Sequence, residues 1–308
     1  MSLRNAAVAL VLFTACLAAS PAKAEEGGFY ASAGASAFLI DLPDYAPLIA
    51  TPFTSSLRAH DGDADGSMGG LTLGWKTEDG CFIEARGFSA SLDASQDAVF
   101  PEAGWVSLDW ITGGFFTGTP VHSSTTLRVD QFGGELLAGR DIPVNENLRL
   151  SPYAGYFGME LDQHYSLSAY QIAFPVSNVQ QYDRMNASYH GLTAGLRLQY
   201  GGEFLRARLD GSLGGALAQA RYDGRQVAST FFPRDSAASD DHSEIAARVR
   251  LEGGLDLLLG SWSLGLEGGL EYLSYVPRLS GSEFRKAACL ASGDSLSGRL
   301  GLNLGYSF

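Results

Sequence analysis

Asp240 and His242 stand two residues apart, the spacing that puts both side chains on one face of an extended backbone. A carboxylate so placed can orient an imidazole, and an oriented imidazole near its intrinsic pKa is what a general base acting on water needs. In a polar loop the same pair is usually just solvated, so the spacing offers chemistry without proving it. A second acidic run, Asp61-Gly62-Asp63-Ala64-Asp65-Gly66, spells the opening of a calcium loop. Thr72 holds the position where a bidentate Glu is required, so an acidic, flexible loop is the better reading. Past Cys16 the chain keeps Cys81 and Cys289, too few for a zinc site. The residue set asks for no metal and no other cofactor.

The element that must position the pair is Ser239–Leu257. From Glu244 the polar residues Glu244, Arg248, Arg250, Glu252 and Asp256 alternate with Ile245, Ala247, Val249, Leu251, Leu255 and Leu257. That is a strand with one apolar and one charged side, and Asp240 and His242 fall at the end of the polar loop before it. The same alternation recurs along the chain. It predicts strands over Phe29–Phe38, Ser67–Lys76, Cys81–Leu92, Thr126–Arg140, Leu148–Leu161, Ser188–Tyr200, Phe204–Arg221, the stretch from after His242 to Leu258, Trp262–Tyr275 and Asp294–Phe308. Long and short connections alternate strictly. The expected fold is therefore all-β: a ten-stranded antiparallel transmembrane β-barrel with five long extracellular loops and both termini periplasmic. Its final strand ends in Tyr306 and Phe308, like the C-terminal assembly signal of bacterial outer-membrane barrels. The charges that would face the lumen are Glu84, Arg86, Arg206, Arg208, Arg248, Arg250, Glu252, Glu267 and Glu271. In so small a barrel they are expected to pair with one another rather than line an open pore.

The composition agrees. A formal net charge of −13 argues against nucleic acid as a partner, which needs a basic surface, and is compatible with cationic peptides. Met1–Ala24 reads as a secretory signal: Arg4, an apolar core over Ala6–Ala19, and Ala22-Lys23-Ala24 before Glu25. Residues 25–308 then form the barrel. No later run reaches the ~18 apolar residues that a spanning helix needs. The expected location is the outer membrane of a Gram-negative bacterium.

One stretch adds a family resemblance. Val106-Ser107-Leu108-Asp109-Trp110 is followed by His122 and Leu127. Phe132 through Gly139 then lead into Ser151-Pro152-Tyr153-Ala154-Gly155-Tyr156. Together with Tyr189-His190-Gly191-Leu192-Thr193 and the Asp240-x-His242 pair, this order resembles the omptins, ten-stranded outer-membrane endopeptidases. In that family a D-x-D-W pair faces a D-x-H pair across the mouth, and a water between them attacks the peptide carbonyl. The resemblance implies that Asp109 polarises the water, His242 takes its proton, and Asp240 holds the imidazole. Ser107 stands where the family has the first Asp, which removes one carboxylate and implies reduced or altered activity. Ala238 stands where an acid favours basic substrate side chains, so that preference does not carry over. Arg184 matches an arginine that binds lipopolysaccharide phosphate. The implied partners are a peptide or protein substrate and outer-membrane lipid, including lipopolysaccharide. The alternative is a non-catalytic barrel of the same architecture, an adhesin, scaffold or narrow channel.

Overall fold

The computed structural model describes residues 27–45, 48–50, 56–57, 59–100, 104–106, 114–115, 120–173, 175, 178–229, 234–280 and 289–308. Ten long strands make the wall: β1 (Gly28–Asp41), β2 (Asp63–Lys76), β3 (Cys81–Phe100), β4 (Val121–Arg140), β5 (Leu148–Gln171), β6 (Asn178–Gly201), β7 (Leu205–Ser229), β8 (Arg234–Leu259), β9 (Trp262–Ser280) and β10 (Cys289–Ser307). Each pairs antiparallel with the next, and β10 returns to β1 from Tyr30↔Ser307 to Asp41↔Leu296, closing the barrel. A separate small sheet joins Leu48–Ala50 to Ser56–Leu57 and to Gly104–Val106, which pairs with Gly114–Phe115. Gly80 and Gly260 take the positive φ that the tight periplasmic turns require. The expected signal over residues 1–24 lies outside the described residues.

Near the short turns the outer wall is apolar. Leu192, Leu213, Leu251, Leu266 and Leu302 are exposed there, and Ile245, at the top of this belt, is 80% exposed. A closed wall bonds every backbone group internally, and an apolar exterior suits lipid, so the strands cross a bilayer. The protein is an outer-membrane β-barrel of the Gram-negative type.

Several strands run well past the belt, further than their alternation suggests. In doing so they swap which face is apolar, with no change in which alternate residues point outward. On β5 the outward set changes from Leu150, Ala154 and Tyr156 to Glu160, Asp162 and His164, while Phe157, Leu161, Tyr165 and Leu167 turn inward. On β6 the outward set changes from Leu196 and Leu192 to Asn186 and Arg184, and Tyr189, Ala187 and Met185 turn inward. The cause is the surroundings: lipid rewards an apolar outside, and water above it rewards an apolar inside. Asp240 and His242, expected in a loop, are therefore part of β8. Asp63 and Asp65 likewise lie on β2, paired with Asp41 and Leu39 of β1. An extended ladder cannot curl round an ion, so the calcium-loop reading falls away.

The lumen is filled at two levels. Within the membrane, ion pairs cross the lumen, Arg197 to Glu84 at 2.9 Å and Arg248 to Glu135 at 2.6 Å, while Arg197 also holds Asp210, its neighbour on β7, at 3.1 Å. Glu135 also receives Arg250 at 2.9 Å, and Arg299 meets Glu252 at 2.6 Å. A cavity of about 350 Å³ reaches this lattice, lined in part by Arg149, Arg206 and Phe308. Above the lattice comes an apolar plug of Phe157, Leu161, Leu127, Val129, Met185 and Tyr189. The chain after β1 also turns inward, and Tyr45 stacks on Tyr165 at 4.2 Å.

Candidate functional site

The wall is incomplete on one side, and that is where the candidate residues sit. β8 pairs with β9 from Leu259↔Trp262 up to Arg248↔Leu273, and no further. Between Leu273 and Val276 the register of β9 against β10 slips, and Pro277, which has no N–H for a ladder, stands just past the slip. Above it the β9–β10 hairpin leans into the mouth and buries Tyr275, Val276, Leu279 and Leu290. Opposite strands hold it there. Tyr189 donates from its hydroxyl to the Tyr275 carbonyl at 3.1 Å, and Gln163 donates to the Pro277 carbonyl at 3.4 Å. β8 continues upward paired, among the described residues, only with β7, as far as Ala228↔Arg234. Among the described residues, the edge of β8 above Arg248 has no strand paired with it.

Asp240 and His242 both point from β8 toward the lumen side, on one face as their spacing requires. Their contacts differ from those the spacing suggests. The Asp240 carboxylate accepts the Leu290 N–H at 2.8 Å and the Asp241 N–H at 3.1 Å, so it ties the hairpin to the edge of β8. The carboxylate that faces the imidazole is Glu244, with His242 Nε2 3.4 Å from Oε2. Both side chains are partly open to solvent, 44% and 40% exposed. The His242 ring also lies 5.9 Å from that of Tyr275. The Tyr275 hydroxyl is buried and, among the described residues, has no hydrogen-bond partner. Burial pushes it up to about 12, with Glu244 and Asp240 adding to the rise. Sequence reasoning passed over Glu244 as a site residue, although it shares the two-residue period of Asp240 and His242.

Asp109 and Ser107, the other half of the expected site, lie outside the described residues. Ala238 packs against the apolar plug. Arg184 lies on the outer face above the apolar belt, and its guanidinium is already bidentate to Asp162, at 3.0 and 2.5 Å. His164 approaches the same carboxylate at 3.3 Å.

No family model matches the chain, and no curated protein matches it. Among solved structures it is similar to the outer membrane protease OmpT from Escherichia coli, 11% identical over 94% of this chain and 99% of that one, with a TM-score of 0.46. It is similar to a major outer membrane protein from Thermus thermophilus, 12% identical over 92% and 99%, TM-score 0.37. A third is Ail, the attachment invasion locus protein of Yersinia pestis, in complex with the heparin analogue sucrose octasulfate. There the identity is 13% over 92% and 99%, with a TM-score of 0.28. None of these likenesses is close enough to carry a residue's role across.

Another buried polar group of the mouth is Asp183. Its carboxylate accepts from Tyr45, from Tyr222 at 2.8 Å and from Gln181 at 2.6 Å. Burial pushes its pKa up, and the three donors pull against that rise. Beside it, the chain after β1 is pinned by a bridge between Tyr45 and His60. His60 Nδ1 accepts the Gly62 N–H at 2.9 Å, and burial holds this imidazole below its usual value of 6.5. The cluster fixes the plug.

Proposed function

We propose that the protein is a sealed outer-membrane barrel that works at its extracellular rim as a binding surface, and not as a pore. The observation that carries this is contact across the lumen at two heights. Arg248 on β8 meets Glu135 on β4 within the membrane, and Tyr45 meets Asp183 above it. A buried ion lattice and an apolar plug leave solutes no continuous wet path. Reconstitution in a planar bilayer tests the reading: no steady conductance is expected, and a stable open level with the parent protein removes it.

A second reading, an omptin-like peptidase, is favoured by the partly exposed His242 beside Glu244. Here His242 takes a proton from water, Asp240 holds the strand that carries it, and Asp109 polarises the water, with Ser107 replacing one acid. Arg184 would meet lipopolysaccharide phosphate. The test is incubation of the lipopolysaccharide-refolded barrel with a peptide library. Cleavage lost in both His242→Ala and Asp109→Ala supports this reading, while no cleavage, or cleavage that survives both changes, eliminates it.

A further inference from the structure

We infer that the free edge of β8 binds an extended basic polypeptide segment by strand addition. The inference gives the rim reading above its partner. Two contacts identify which backbone groups face away from β7. Ala247 donates its N–H to Ser274 Oγ at 2.8 Å, and Asp241 donates its own to the Asp240 side chain. Both are satisfied by side chains, not by a neighbouring strand. In an antiparallel pair alternate residues turn to the same neighbour, so Ser239, Ser243 and Ile245 present their N–H and C=O groups to the same open side. Among the described residues no strand pairs with them there. Asp241, Ser243 and Ile245 are exposed on the outer face, Ile245 at the top of the apolar belt and the other two above it.

Unpaired edges invite another strand, and charge decides which. The edge carries Asp241 on its outer face and Glu244 on its inner face. An added strand alternates its side chains in the same way, so one basic side chain would meet Glu244 and the next would meet Asp241. The buried Tyr275 hydroxyl gives the inner side chain a further polar group, its orphan state relieved by a ligand donor or acceptor. A second copy of the chain is a poor occupant. Two barrels upright in one membrane present their β8 edges in the same direction, with Asp241 facing like charge.

The probe is a peptide of alternating lysine and valine, with binding followed by amide hydrogen exchange of the refolded barrel. Slower exchange at Ser243 and Ile245 is expected. An analogue N-methylated on the amides of one edge should bind about tenfold more weakly, having lost more than one backbone hydrogen bond. Ser243→Pro removes an N–H that faces away from β7, and should weaken binding by a similar factor. Should that variant fail to fold, the methylated peptide still decides. A glutamate–valine peptide should leave the exchange unchanged. The inference is overturned if the lysine peptide protects no amide of β8, protects other rim amides instead, or binds equally well when methylated. It is also overturned if protection of the edge rises with protein concentration alone, since a second copy then holds it. None of these results bears on conductance, so the sealed-barrel reading stands or falls separately.

Discussion

Replacing Asp240 separates a latch from a catalytic acid. Asp240→Ala leaves the Leu290 N–H, at 2.8 Å from the lost carboxylate, without its acceptor on a mostly buried stretch of the hairpin. A hydrogen bond to a charged group contributes about 1.5–3 kcal/mol net, and the partial exposure of Asp240 argues for the lower end. At about 1.4 kcal/mol per factor of ten, hairpin opening should become about tenfold more frequent. Tyr189 and Gln163 still hold the hairpin from the far wall, so the barrel itself should stay folded. Cys289 is a free thiol next to Leu290, and Cys81 is a free thiol at the start of β3. Thiol labelling therefore carries its own control: Cys289 should react about tenfold faster in the variant, with Cys81 unchanged. Asp240→Asn keeps one acceptor oxygen and should fall between. If Cys289 reacts at the parent rate in Asp240→Ala, the latch is wrong. Loss of peptide cleavage with no change in labelling would move Asp240 to the peptidase reading.

Three further outcomes test the packing. Glu135 is buried and accepts from both Arg248 and Arg250, so Glu135→Leu takes a buried carboxylate from both guanidinium groups, leaving Arg248 to Glu271 and Arg250 to Glu252, and should cost about 3 kcal/mol in urea unfolding. A loss below about 1 kcal/mol would mean that water reaches the lattice. His60 is held below 6.5 by burial, so between its folded and unfolded values the folded state binds fewer protons. Its stabilising contribution is full above 6.5 and is lost as pH falls through the depressed value. Protection of the Tyr45 amide, which donates to the His60 carbonyl at 2.9 Å, should then fall once the intrinsic pH dependence of exchange is divided out, and His60→Gln should flatten that fall. Lipopolysaccharide phosphate would have to displace Asp162 from Arg184. Asp162→Asn should therefore raise lipopolysaccharide affinity several-fold and a second change, Arg184→Ala, should cancel the gain; equal affinity across the three proteins excludes Arg184 as the contact.

The barrel was legible because lipid imposes one rule on every strand, and Leu196, Leu209, Leu251 and Leu302 all obey it. The upper halves were not. The expected fifth strand stops at Leu161, soon after the apolar residues change parity between Tyr156 and Phe157. A change of parity looks like the end of a strand when one environment is assumed throughout. Here it marks the passage from lipid to water with no break in the ladder, since β5 and β6 stay paired from Leu148↔Tyr200 to Tyr170↔Asn178. Asp240 and His242 were misplaced for the same reason. Their common face was readable from spacing, and so was Glu244 on that face beside His242, but the partner of Asp240 was not. It depends on Leu290, which is distant in sequence and reaches Asp240 only because β9 leaves the wall.

That departure follows from the same change of environment. Tyr275, Val276, Leu279 and Leu290 lie above the lipid, where an apolar outer face has nothing to cover it, and the lumen is the nearest apolar place. Taking the hairpin inward seals the mouth and at once strips β8 of its neighbour. A bare edge in an outer membrane crowded with barrels is a hazard, and charge on the edge is one remedy. Asp241 and Glu244 repel an identical edge, and the same two carboxylates attract a strand of opposite sign. Neutralising both, in Asp241→Asn with Glu244→Gln, should therefore act in two directions. Self-association should rise with protein concentration while the lysine–valine peptide binds more weakly. If both change in the same direction, the acids do not discriminate between partners.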